Sequence, residues 1–159
     1  MSTLLRLLLS GLLTVLALGV LFVMGLLAPL AAAQLAESFP EVAYLRWPYT
    51  VLLWVTGACA LVVIGLAASV VSLAGRDRFW SAPTVRAFGL AAIALVVTGA
   101  VFLGIDAHLT FWVRANPPAV AYGLLGGALV CLTAAAACWA ARGEVTRGMT
   151  VRDEWAAFV

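Results

Sequence analysis

The sequence contains no lysine and a single histidine, and only 10% of its 159 residues are charged. Soluble domains carry about 25% charged residues. Hydrophobic residues make up 65% of this chain, and its mean hydropathy is +1.14. Because so few charges cannot cover a surface in water, the composition excludes a soluble fold and predicts an integral membrane protein. The net charge of +2 is also too small and dispersed for a nucleic-acid-binding surface, so no direct nucleic-acid partner is expected.

Cysteine is scarce as well, and Cys59, Cys131 and Cys138 each lie inside an apolar run. None shows the close-paired spacing of a zinc or redox site, and an odd number makes no disulfide framework. We therefore expect all three to be small apolar packing residues, as free cysteines commonly are. If the second and fourth apolar runs touch, Cys59 and Cys131 would be neighbours at similar depth.

Four long stretches without any charge divide the chain. They lie between Arg6 and Glu37, from Trp47 to Gly75, from Ala87 to Ile105, and from Ala115 to Ala141. A helix needs about 20 apolar residues to cross about 30 Å of hydrocarbon, where only internal hydrogen bonds satisfy the backbone. The sequence therefore predicts one all-α domain over residues 1–159, with four transmembrane helices. They are expected at about 4–30, 49–73, 85–105 and 119–141, followed by a cytoplasmic tail over 142–159.

The first stretch also imitates a secretory signal, because Arg6 precedes a leucine-rich run that ends in "PLAAAQ". The apolar core of a signal is about 7 to 15 residues long, and the run from Leu7 to Ala28 exceeds that length. We therefore expect an uncleaved helix.

The arginines are divided unequally between the two ends of the predicted helices. Counting alternate ends, seven share one side: Arg6, Arg76, Arg78, Arg86, Arg142, Arg147 and Arg152. Arg46 and Arg114 fall on the other. Short loops rich in arginine stay on the cytoplasmic side, where anionic headgroups attract them. The pattern predicts a multi-pass protein of the bacterial cytoplasmic (inner) membrane, with both termini in the cytoplasm.

The stretch "GRDRFWSAPTVR", residues 75–86, is then the cytoplasmic turn between the second and third helices. Phe79 and Trp80 suit the aromatic belt at headgroup level. Ser81 is expected to cap the third helix, with Pro83 in its first turn.

The tail places Val151, Trp155 and Phe158 at helical spacing. This spacing is typical of a short amphipathic segment, either on the membrane surface, which we expect at this length, or against a protein partner. The candidate contacts with headgroups or a cytoplasmic partner are Arg76, Arg78, Trp80, Arg86, Arg152 and Trp155.

Small residues at helical spacing indicate where the helices pack, because association in lipid depends on close contact. Such stripes include Gly123, Gly127, Cys131 and Ala135 in the fourth helix and Ala92, Ala100 and Gly104 in the third. The second helix contributes Gly57, Gly65 and Ser69. The pattern predicts an intramolecular four-helix bundle, although a GxxxG pair equally fits a surface that faces a partner.

The membrane core of the predicted spans contains no Asp, Glu, Lys, Arg or His, which argues against an ion pump or a proton-coupled transporter. Their hydroxyls, Thr14, Thr56, Ser69, Ser72, Thr98 and Thr133, are expected to bond back to their own helices.

Six polar residues form a candidate cluster on the outer face: Glu37, Glu41, Arg46, Asp106, His108 and Arg114. Imidazole and carboxylates suit divalent cations, so a metal or ligand site is one interpretation. The favoured alternative is solvated loop charges, with Glu37 or Glu41 paired to Arg114 and Asp106 paired to Arg46. With one histidine and no repeated ligand spacing, we expect no metal and no cofactor.

Three segments together resemble a known family. They are "ESFPEVAYLRWPYTVLLWV" after the first helix, "DRFWSAPTVRAFG" at the start of the third, and the terminal "VRDEWAAFV". They are similar to small bacterial membrane proteins grouped as domain-of-unknown-function family 2975 (DUF2975). The resemblance covers nearly the whole chain. It implies four spans, cytoplasmic termini and frequent proximity to the gene of a small Cro-like DNA-binding regulator, but no catalytic residues.

These patterns favour a non-enzymatic membrane protein that binds, senses or assists a cytoplasmic regulator or a larger membrane complex. The alternative is an auxiliary subunit or a small oligomeric component of a transporter, which leaves a homo-oligomer open. A membrane enzyme acting on lipid or quinone is the third reading, and it would need the outer cluster for its chemistry.

Overall fold

The computed structural model describes residues 3–38, 40–76, 78–114 and 118–157. These ranges are almost entirely helical, and they contain no strand. The α-helices are Thr3–Phe22 (α1), Ala28–Ser38 (α2), Arg46–Gly75 (α3), Ala82–Ala107 (α4) and Pro118–Ala157 (α5). A π-helical turn, Val23–Leu27, joins α1 to α2, a 3₁₀ helix, Pro40–Leu45, precedes α3, and a second π-helical turn, His108–Val113, extends α4.

Within the described residues, four helical stretches are long and apolar enough to cross a membrane, which confirms the predicted number. They are Leu4–Gln34, Ala43–Gly75, Ala82–Val113 and Val120–Trp155, with 31, 33, 32 and 36 residues. α1 and α2 make one stretch because a π-helical turn widens a helix locally without ending it. All four are longer than the predicted spans, because helical structure continues into the polar residues that flank each apolar run.

The fourth helix continues past the predicted end of its span near Ala141. α5 continues to Ala157, which gives 40 residues and a length of about 60 Å. The segment after Ala141 contains no proline, and Arg147 donates a hydrogen bond to Glu144 at 2.9 Å along the helix surface. Residues 142–157 therefore continue the spanning helix instead of forming a separate segment along the membrane surface. Phe158 lies outside the described residues.

The helices contact one another in chain order. α1 packs on α3, α3 on α4, and α4 on α5. Within the described ranges, α5 touches neither α1 nor α3, so the condition for neighbouring Cys59 and Cys131 thiols is not met. α4 supplies most of the buried residues of the described ranges, including Ala92, which is fully enclosed.

Contacts at glycines fix an antiparallel register. Between α4 and α5, Gly99 faces Leu132 and Phe102 faces Gly127. Between the first span and α3, Met24 lies against Gly57, and the Arg6 side chain lies against Gly75. These registers bring the seven arginines predicted to share a side to one end of the helices, here named the arginine-rich end. The opposite end, which carries His108, is named the histidine end.

The glycines predicted to mediate packing divide into two groups. A β-carbon at Gly127 would lie 3.0 Å from Phe102 Cε2, and one at Gly57 would overlap Met24. At Gly65, Gly104 and Gly123, a β-carbon would meet no side chain or neighbouring helix within 4 Å. These three positions therefore do not form the expected close contacts within the described part of the chain.

The hydroxyls in the spans mostly bond to their own helices, as predicted. Thr14, Ser69, Thr98 and Thr133 donate to the carbonyl four residues earlier, and Thr56 donates to the carbonyl three residues earlier, at 2.8–2.9 Å. Their hydrogen-bonding capacity is used inside each helix, so they supply no polar path between helices.

Candidate functional site

The arginine-rich end is built around the turn that joins α3 to α4. The carbonyl of Leu73 accepts hydrogen bonds from the backbone N–H groups of Arg76, at 3.1 Å, and Arg78, at 3.0 Å, and so ends α3. Ser81 is extended and precedes α4, as predicted. Its hydroxyl does not cap the helix, however, because it donates to the carbonyl of Arg78 at 2.6 Å. Ser81 thus tightens the turn.

Trp80 packs against α5 and so holds this turn next to it. Its indole ring lies so close to Gly148 that a β-carbon there would overlap the ring. Phe79 meets Trp80 edge to face, with ring centroids 5.4 Å apart. Val145, three residues before Gly148, is only 2% exposed, and Thr84 in the first turn of α4 is fully buried. The end of α5 that lies beyond the predicted span is therefore held in a packed junction.

Beyond that junction, α5 projects as a free helix end. α4 begins at about the level of Gly148, so the last nine residues of α5 extend about 13 Å past it. Val151 is 52% exposed and Trp155 is 72% exposed. Both lie on the same helical face as Gly148, since spacings of three and four residues share a face. Trp80, Val151 and Trp155 therefore form one apolar stripe.

Four of the predicted partner contacts lie at the same end of the molecule as this stripe. Arg76, Arg78, Arg86 and Arg152 are exposed. We name this set, together with Trp80, Val151 and Trp155, the stripe surface. The structure thus places the candidate residues of the turn and of the tail at the same end of the molecule, where Trp80 joins the two segments.

Two other arginines at this end, Arg6 and Arg142, pack against neighbouring helices. Arg6 lies against Gly75 at the end of α3, where a cation is favoured by the partial negative charge of a helix C-terminus. Arg142 lies beside Gly89, with its guanidinium carbon 5.5 Å from the ring centroid of Trp139. The contacts of Arg6 with Gly75 and of Arg142 with Gly89 were not expected from the sequence, because they depend on the register between helices.

The residues of the predicted outer cluster are more scattered than those of the stripe surface. Glu37 is exposed at the end of α2, and Arg114 adopts a left-handed conformation with φ 54° after the second π-helical turn. Among the described residues no ion pair joins Glu37 to Arg114, and the alternative pairing of Arg114 with Glu41 stays a prediction. Arg46 begins α3 and places its guanidinium carbon 5.5 Å from the ring centroid of Trp47. The side chain of Glu41 lies outside the described residues.

Asp106 and His108 both lie at the histidine end of the α4 stretch, and Asp106 is half-buried. Across residues 3–38, 40–76, 78–114 and 118–157, no group of three or more His, Cys, Asp or Glu side chains is arranged to hold a metal ion.

His108 has a partner that the sequence analysis did not select. The Tyr49 hydroxyl lies 2.6 Å from Nδ1 of His108, and the two rings meet edge to face at 6.1 Å. On the other side, Trp112 stacks with the imidazole at 6.3 Å and an interplanar angle of 12°. Tyr49 begins one predicted span and His108 follows the end of the next, so antiparallel packing of those spans would have indicated this pair.

The first π-helical turn makes a polar contact with α3. The Trp54 indole N–H donates to the carbonyl of Met24 at 3.1 Å. A π-helical turn disturbs the regular backbone ladder, so an indole donor on the neighbouring helix suits this position. The contact holds the first span against α3 next to the Met24–Gly57 packing.

A model of the family described as "Protein of unknown function (DUF2975)" matches residues 30–158. The match covers the candidate residues at both ends of the helices, apart from Arg6. No curated protein and no solved structure matches the chain.

Proposed function

Since the chain belongs to the DUF2975 family, whose description assigns no activity, we propose from the geometry that it is a non-enzymatic protein that binds a partner through the stripe surface. The partner is a cytoplasmic regulator or a subunit of a larger membrane complex. In this proposal the arginine-rich end faces the cytoplasm of a bacterium, and the four helices cross its inner membrane as a bundle.

The observation that carries the proposal is the packed junction beneath an exposed aromatic stripe. Burial of Val145 and contact of Trp80 with Gly148 hold α5 in a fixed direction before it projects. Val151 and Trp155 are therefore presented on an ordered helix, and binding would require little additional ordering. Tryptophan and arginine are the residues most enriched at energetically dominant positions of protein interfaces.

The chemistry of the stripe surface specifies the partner's surface. An apolar groove or pocket would receive Trp155 and Val151, as in complexes that seat an amphipathic helix in a groove. Acidic residues around that groove would face Arg76, Arg78 and Arg152, which would speed association and select against basic surfaces. A membrane surface alone satisfies the arginines but offers no reason for α5 to project from the helices.

The position of the predicted charges supports the orientation. All seven arginines counted on one side lie at the arginine-rich end, and loops rich in arginine remain in the cytoplasm. A cytoplasmic stripe surface is accessible to soluble regulators, whereas the same surface outside the cell would not be. The proposed function therefore depends on this orientation.

The experiment that tests the proposal is affinity purification of the full chain from native membranes in a mild detergent. Trp155→Ala combined with Val151→Ser should lose a partner that the unaltered chain retains. Tyr122→Ala is the matched control, because Tyr122 is also exposed and lies near the other end of the same helix. The proposal is overturned if the unaltered chain is recovered alone under several conditions, or if both variants recover the same proteins.

A further inference from the structure

A groove of about 430 Å³ runs between α3 and α4 at the histidine end. Its volume is within the range of small-molecule sites, about 300–1,000 Å³. Leu45, Pro48, Tyr49 and Leu52 line one wall, and Val101, Gly104, Ile105 and His108 line the other. Each set follows one face of its helix, so the groove extends about 10 Å along the helices from Tyr49 and His108 into the spanning region.

The polar groups of the groove are concentrated at one place. No charged side chain lines it, and its polar side chains are the Tyr49–His108 pair. If the tyrosine hydroxyl donates to Nδ1, the imidazole carries its hydrogen on Nε2, and Nε2 is then a donor. The groove therefore offers one hydrogen-bond donor next to the stacked rings of His108 and Trp112, and the rest of its lining is apolar.

We propose that this groove binds a membrane-soluble quinone, with its carbonyl head at His108 and its apolar tail along Leu52, Val101 and Ile105. A quinone head is flat, neutral and rich in hydrogen-bond acceptors, which matches the imidazole donor and the adjoining Trp112 ring. A phospholipid would place a phosphate at the same end, and the lining supplies no cation for it. The proposed step is binding alone.

This site is independent of the stripe surface. The 26 residues of α4 separate the two ends by about 39 Å. Quinone binding can therefore be measured on the purified chain without any partner, and failure of one proposal leaves the other unchanged.

Gly104 provides a variant that fills the groove. A β-carbon at Gly104 meets no neighbouring side chain within 4 Å, so Gly104→Leu extends into the empty groove without displacing a helix. Gly126→Leu is the matched control. Gly126 has equally open surroundings, and the Phe102–Gly127 contact places it at nearly the same level on α5, away from the groove.

The test titrates decylubiquinone into the full chain in phosphatidylcholine nanodiscs and follows tryptophan fluorescence, since Trp112 stacks on His108. Saturable quenching is expected for the unaltered chain and for Gly126→Leu, and its loss is expected for Gly104→Leu. His108→Phe keeps a ring but removes the donor, and should weaken binding about threefold to tenfold. Melting of helical circular dichroism verifies that each variant is folded.

Two results would overturn the proposal. One is equal binding of decylubiquinone by Gly104→Leu and Gly126→Leu, which would place the probe elsewhere. The other is displacement of decylubiquinone by an equal concentration of decylphosphocholine, which has the same tail with a phospholipid head. That displacement would identify the groove as an ordinary lipid-chain site.

Discussion

The indole ring of Trp80 occupies the space where the β-carbon of any side chain at position 148 would lie. Glycine is therefore the only residue type at position 148 that permits this contact. The pair joins the turn before α4 to the part of α5 that extends past it. It therefore sets the direction of the exposed helix end, and it links a local packing contact to the proposed partner surface.

Substituting Gly148 should separate the turn before α4 from the end of α5. Gly148→Val forces Trp80 out of its position and should destabilise the junction by about 1–3 kcal/mol, the usual cost of overpacking. Proteolysis within residues 149–157 should become faster, and quenching of tryptophan fluorescence by acrylamide should increase. Gly143→Val is the control, because a β-carbon at Gly143 meets open space and valine is a better helix former than glycine. Equal proteolysis of the two variants would contradict the assigned role of the Trp80–Gly148 contact.

Gly99 should be difficult to replace at the α4–α5 interface. A β-carbon there would lie 3.2 Å from Leu132 Cγ and 3.5 Å from the carbonyl oxygen of Ala128, which cannot move aside without shifting α5. Gly99→Leu should therefore lower the free energy of unfolding by about 1–3 kcal/mol. Unfolding in a detergent mixture, followed by circular dichroism, measures this difference. Gly126→Leu should unfold like the unaltered chain, and an equal loss in both variants would show that the helices are further apart than described.

The number of spans and the sorting of the arginines were predictable from sequence. Both depend on properties of the chain alone: the length of each uncharged run and the alternation of its ends. The face by which each helix packs against its neighbour was less predictable. A spacing of four residues turns 400° around a helix and so drifts by about 40° at each step. The stripe from Ala92 to Gly104 therefore starts at a fully buried residue and ends at an exposed one.

Contacts between helices could not be predicted because they require a register. Trp80 and Gly148 are separated by 68 positions, and only the antiparallel packing of α4 on α5 places them at one level. The same holds for Tyr49 and His108, which are 59 positions apart. The continuation of α5 past Ala141 was missed for another reason. Charged residues marked the end of the apolar run, but arginine and glutamate are good helix formers and do not end a helix.

The Tyr49–His108 hydrogen bond should stabilise the packing of α3 on α4. Tyr49→Phe, His108→Leu and the double variant form a double-mutant cycle, and we expect a coupling free energy of about 0.5–1.5 kcal/mol. Each single variant should lower the unfolding temperature, and the second substitution should cost less once the first is present. A coupling free energy of zero would show that the two side chains do not interact in the membrane, even where each single variant unfolds early through lost packing.

The orientation proposed from the arginines predicts opposite labelling of the two ends in intact cells. Val151→Cys lies on the exposed part of α5 at the arginine-rich end, and Arg114→Cys lies at the histidine end. In a background with Cys59, Cys131 and Cys138 replaced by alanine, a membrane-impermeant maleimide should label position 114 in intact cells. Position 151 should be labelled only after the membrane is opened, because the cytoplasm shields it. Labelling of position 151 in intact cells would reverse the orientation, and the stripe surface would then be unable to meet a cytoplasmic regulator.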